Sequence, residues 1–164
     1  MKSKIIKITL GCIGLVVGIF LGLTTTKQFS TGSIKTPKGI VHAEATVTSP
    51  QGVNISVLVA NTEQKRVSGL SGFPALSTKQ GMLFVFPQVG TYRFWMKDMN
   101  FPIDIVWIDE MFQIIGRNDN ISPQSFPKTF TPPGPVRYVI ELPANSALRD
   151  GFLIGNKILL QYDK

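Results

Sequence analysis

Proline and glycine interrupt this chain so often that its apolar residues fall in short runs. Eleven prolines and fifteen glycines are spread over 164 residues. Proline removes a backbone donor and fixes its own φ, while glycine is the least costly residue at which a chain can turn. Short strands joined by many turns fit this pattern, and a helix bundle does not. The length suits one domain plus an appendage.

The runs themselves read as strands. Val53 to Val59 alternates with a period of two, as a half-buried strand does. Asn61, with Gln64 three residues on, comes close to a capping box. It predicts a short helix carrying Lys65, Arg66 and Val67, ending at Gly69 or Gly72. Gly81 to Phe86 (GMLFVF) is continuously apolar and predicts a strand buried on both faces, broken by Pro87 and Gly90. From Tyr92 to Met96, Tyr92, Phe94 and Met96 point one way, Arg93 and Trp95 the other. Ile103–Ile108 is a strand, Asp109-Glu110 a turn, and Met111–Arg117 the hairpin partner.

Residues 118–135 hold five prolines and no hydrophobic period, which predicts a long loop. Val136–Leu142 is another strand. Asn145 caps one helical turn to Asp150 with Gly151 as its stop, and Lys157–Tyr162 closes the domain. The expected fold over residues 46–164 is mainly β: a β-sandwich, jelly-roll-like, or a partly open barrel, with one or two short helices.

A different element stands in front. Lys2, Lys4 and Lys7 precede the uncharged run Ile8–Thr26. Lysines before such a run hold the N-terminus inside and send the following chain outward. Its 19 residues just reach the roughly 20 that a spanning helix needs. The reading is a single-pass anchor at residues 1–26, a tether over 27–45, and an extracytoplasmic domain, or a secreted one if the helix is a cleaved signal. Gly14, Gly18 and Gly22 form a small-xxx-small pattern that permits close helix packing.

The net charge of +7 does not indicate nucleic acid. Residues 1–45 carry six lysines and one acid, whereas 46–164 carry eleven Lys/Arg against nine acids. No Lys/Arg cluster lies in the domain, and a nucleic-acid footprint needs a cationic stripe. The single cysteine, Cys12, lies in the apolar run, and the single histidine, His42, in the tether. With neither in the domain there are no parts for a thiol or Ser-His-Asp nucleophile, nor for a common zinc site. No cofactor, metal or catalytic residue is expected.

Carboxylates, cations and tryptophans on apolar strands remain. Asp104 shares a strand face with Val106 and Ile108, and Glu141 shares one with Val139. A carboxylate there is costly unless paired. Arg66 and Lys97 are the candidate partners, either in buried ion pairs that fix strand register or around a polar pocket with shifted pKa values. Trp95 and Trp107 on neighbouring strands pack in the core, stack on a sugar ring or line an apolar pocket. The candidate cluster is Arg66, Trp95, Lys97, Asp104, Trp107 and Glu141.

Five motifs occur in order: Arg66-x-x-Gly69-Leu70, Gly81 to Phe86, Phe94-Trp95-Met96-Lys97, Pro102-Ile103-Asp104-Ile105 and Tyr138 to Pro143, followed by Gly155 and the closing strand. In this order the chain resembles the bacterial and archaeal domain of unknown function family 192. The resemblance implies a β-sandwich or jelly-roll-like fold, often behind a signal or anchor, and no established activity. Arg66, Trp95, Lys97, Asp104 and Glu141 fall on its polar or aromatic places. This chain departs at Asp98-Met99, where the family often has Asn-Thr, and at Asn145, where it often has a turn glycine.

Three functions are expected in order: a binding module for an envelope polymer, glycan or small ligand, a structural partner in a membrane complex, and a hydrolase or lyase using Asp104 and Glu141.

Overall fold

The computed structural model describes residues 42–162. The expected anchor at Ile8–Thr26 and most of the tether lie outside the described residues. Among those described, no helix is long and apolar enough to cross a membrane.

The fold is mainly β, as the punctuation by proline and glycine predicts. Among the described residues nine strands run in chain order: β1 (Ala43–Thr48), β2 (Asn54–Ala60), β3 (Gln80–Gly90), β4 (Phe94–Trp95), β5 (Ile103–Ile108), β6 (Ile114–Ile121), β7 (Thr129–Phe130), β8 (Val136–Pro143) and β9 (Leu159–Tyr162). Helix α1 (Glu63–Ser68) follows β2, and α2 (Ser146–Arg149) follows β8. Seven strands make one open sheet in the order β6-β5-β8-β3-β2-β1-β9, while β4 and β7 pair apart from it. An isolated bridge, Gln113 to Lys157, links the approaches to the two edge strands.

Both faces of the sheet are buried. Met82, Phe84, Phe86, Ile105, Trp107 and Val139 belong to one core, with Phe94 and Met96. Leu83, Val106, Ile108, Ile140, Leu142 and Phe152 belong to the other. This explains the unbroken apolar run of β3 and the burial of all six residues of β5. The strands pack tightly at Gly81, where an added Cβ would lie 2.7 Å from the Glu141 carbonyl oxygen.

Several boundaries differ from the sequence reading. β1 begins at Ala43, within the stretch read as tether, and pairs with β2 and β9. His42 sits at its start with Nδ1 3.3 Å from the Val59 carbonyl oxygen. The cap of α1 is Thr62, not Asn61: its hydroxyl accepts from the Lys65 N–H at 3.3 Å. β3 runs through Pro87, since its pairing with β2 ends at Phe84 and its pairing with β8 skips from Val85 to Gly90. Nothing there needs the N–H that proline lacks.

β6 starts later than expected and ends later. Asp109 Oδ1 accepts from the N–H groups of Met111 and Gln113, both at 2.8 Å, so the turn is longer than two residues. The polar stretch Asn118-Asp119-Asn120 continues the strand instead of opening the loop. The rest of the proline-rich segment is tied down by β7 and by Pro133, whose Cδ would stand 2.7 Å from a Cβ on Gly116.

Candidate functional site

Strand alternation places Met82, Phe84 and Phe86 of β3 on one face. Register then adds to it. Glu141 stands opposite Met82 on one side and Ile105 on the other, so its carboxyl enters an apolar layer. The short β4 contributes Phe94 and Trp95 beside it. Helix α1 ends at Gly69, whose φ of 49° suits glycine and whose Cα faces the Phe84 ring. The chain after α1 is pinned to the residues after β4. Ser71 Oγ donates to the Lys97 carbonyl at 2.8 Å, and the Gly72 N–H donates to that of Asp98 at 2.9 Å.

These elements enclose a cleft of about 370 Å³. Phe84, Phe86, Tyr92, Phe94, Trp95 and Met99 give it apolar and aromatic walls, and Glu63, Arg66, Arg93 and Glu141 give it charge-bearing groups. Arg66 donates from Nη1 to the Val85 carbonyl at 3.0 Å, and its guanidinium carbon lies 5.4 Å from the centre of the Phe86 ring. Phe86 in turn stacks on Tyr92 at 3.5 Å between centroids. This cation–π contact and the hydrogen bond hold the guanidinium over the wall.

Glu141 is only 4% exposed, and its Oε2 has no hydrogen-bond partner. Burial pushes its carboxyl up to about 8 from an ordinary 4.5. At neutral pH it is therefore mainly protonated, a neutral group able to donate one hydrogen bond and accept others.

Of the six residues singled out from the sequence, Arg66, Trp95 and Glu141 line the cleft. Lys97, Asp104 and Trp107 do not. Lys97 is exposed, and the atom that holds Ser71 is its backbone carbonyl. Trp107 is 1% exposed and packs edge-on to Phe94 at 5.4 Å, with its indole N–H donating to Asn118 Oδ1 at 2.8 Å. It is a core residue lying behind the cleft wall.

Asp104 is fully buried on the opposite face. Its Oδ1 accepts from the N–H groups of Asn120 at 2.7 Å and Asn145 at 3.0 Å, and its Oδ2 from that of Ala147 at 2.8 Å. Backbone donors thus take the place of the expected ion pair. Among the described residues, salt bridges join Arg117 to Asp119 and Arg149 to Asp150, and neither Asp104 nor Glu141 takes part in one. The two carboxyls that a hydrolase would use share no cleft.

Two departures from the family pattern are accounted for. Asp98 and Asn145 take φ values of 57° and 66°. Aspartate and asparagine tolerate this left-handed region better than most residues, so Asn145 serves where a glycine is common. Met99 packs against the core and lines the cleft, supplying apolar surface and no hydroxyl. Sequence reasoning missed Phe84, Phe86, Tyr92 and Arg93 as wall residues. The i, i+2 spacing of Phe84 and Phe86 was the available signal for the first two.

A β-rich domain with an aromatic cleft over one buried, unpaired carboxyl is the class these features define. The chain belongs to the DUF192 family, described as an uncharacterized ACR, whose pattern matches residues 45–160. Two solved structures share the fold. One, from Sinorhizobium meliloti 1021 and provisionally described as a transcription regulator, is 26% identical with a TM-score of 0.67, over 74% of this chain and 97% of that one. The other, a protein of unknown function from Novosphingobium aromaticivorans DSM 12444, is 23% identical with a TM-score of 0.67, over 77% and 91%. No curated protein matches the chain.

Proposed function

We propose that this protein is a binding module whose cleft beside α1 takes a small ligand, and that it works at the outer face of a cytoplasmic membrane. The observation that carries the binding reading is Glu141. A buried carboxyl with a free oxygen costs free energy unless something satisfies it, and Glu141 is among the residues that line the cleft. The cleft volume of about 370 Å³ lies near the small end of the roughly 300–1,000 Å³ usual for ligand pockets. Trp95, 45% exposed at the wall, offers a flat face for a ring, sugar or aromatic. A small ligand or one terminal unit of a glycan fits this space better than a length of polymer.

The location rests on the lysines ahead of Ile8–Thr26. A reporter fused after Ala45 should be active only outside the cytoplasm, and cytoplasmic activity would remove this half of the reading. For the other half, titrating the purified chain with a panel of small glycans and aromatic compounds should find ligands that Trp95→Ala weakens. If ligands bind and none responds to that change, this cleft is not the site.

The regulator description of the Sinorhizobium neighbour would call for a cationic stripe if it meant contact with nucleic acid. Residues 46–164 carry eleven Lys/Arg against nine acids, with no cluster larger than the pair Lys65-Arg66.

A further inference from the structure

The cleft has a polarity as well as a volume. Its apolar surface comes from aromatic rings, and its charge-bearing groups divide unevenly. Arg66 and Arg93 face one exposed acid, Glu63, and the neutral Glu141. Neither arginine is in an ion pair among the described residues. Arg66 commits Nη1 to the Val85 carbonyl, which fixes its orientation and leaves further N–H donors of the fork unused. A guanidinium so held is suited to a planar anion.

We propose that the ligand is a small amphipathic anion, a carboxylate on a flat apolar body. Its carboxylate meets Arg66, its ring lies along Trp95 and Tyr92, and one polar atom takes a hydrogen bond from the Glu141 carboxyl. This rests on the binding reading above and adds the chemical class of the ligand. An ionised acid at the position of Glu141 would repel such a ligand and attract an amine instead. As the neutral group it completes a site with donors and no competing negative charge at its base.

The test is calorimetric titration of the full-length chain with three probes of one shape: 2-naphthylacetate, 2-naphthylacetamide and 2-(2-naphthyl)ethylamine. The acid should bind at least about tenfold more tightly than the amide, the scale of one charge-assisted hydrogen bond, and the amine should bind most weakly. Arg66→Gln should erase the advantage of the acid while leaving the amide nearly unchanged, and Glu141→Gln, still neutral, should preserve it. The wild-type comparison stands even if a variant fails to fold. Equal binding of all three, or a preference for the amine, overturns the anion assignment and leaves the cleft as a binding site. Binding of none overturns both.

Discussion

Asp104 and Glu141 lie on adjacent strands, one register step apart, and face opposite sides of the sheet. Ile105 stands opposite Glu141, and Asp104 opposite Leu142. Directly opposed residues share a face, so one carboxyl enters the core beside Met82 and the other the core beside α2. The two have different consequences. Asp104 is saturated by backbone donors and organises the fold. Glu141 is left unsatisfied and faces the cleft.

Asp104→Asn should therefore destabilise the domain without touching ligand binding. Asparagine keeps one acceptor oxygen and turns an NH2 group toward N–H donors that Asp104 now satisfies. Leaving buried donors unpaired costs about 1–3 kcal/mol each, more for a charged partner. Chemical denaturation should show a loss of roughly 2–4 kcal/mol. An unchanged midpoint would mean that these bonds contribute little.

Glu141 makes stability depend on pH. Its folded pKa, about 8, lies above the ordinary 4.5, so between those values the folded chain holds a proton that the unfolded chain has released. Stability falls wherever the folded state binds more protons, so it should be greatest below about 4.5 for this group, decline toward 8, and level off above. Glu141→Gln should abolish this component and be more stable than the natural chain at pH 9. Melting curves from pH 5 to 9 for both proteins decide it, and parallel pH profiles would count against a buried, unpaired acid.

The two tryptophans should separate cleanly. Trp107→Ala removes a fully buried side chain that packs on Phe94, and comparable truncations cost about 3–5 kcal/mol. Trp95→Ala, at a 45% exposed position, should cost under about 1 kcal/mol and act on ligand affinity instead. Melting temperature and ligand titration on both variants test the division.

Gly81→Ala should destabilise by about 1–3 kcal/mol, because the new methyl would press on the Glu141 backbone at 2.7 Å and on Leu142 Cδ2 at 3.0 Å. Gly52→Ala provides a control for backbone strain: its φ is 78°, and nothing lies within 4 Å of an added Cβ. If Gly81→Ala is the milder of the two, the close approach of β3 and β8 is not limiting.

The strands of greatest apolar content were legible from the sequence. β2, β3, β5 and β8 follow period or run length, and the turn at Gly151 follows from a residue able to take a φ of 80°. β1 and the polar end of β6 were not. β1 is strand because β2 and β9 flank it, and Asn120 closes β6 because its N–H finds Asp104. Both depend on partners far away in the chain, which no local pattern encodes. Arg66, Trp95 and Glu141 were recognisable as polar or aromatic residues on apolar elements, but their common address was not.

Side-chain alternation and the placement of proline and glycine are local properties, and they alone determined that this domain is mainly β with one or two short helices. Strand order and register are long-range, and they decided which carboxyl was satisfied by backbone and which was left facing the cleft. A slip of β8 by one residue against β5 would turn Glu141 to the face that Asp104 occupies. Only the assembled sheet fixes that register, because it must bury both cores at once.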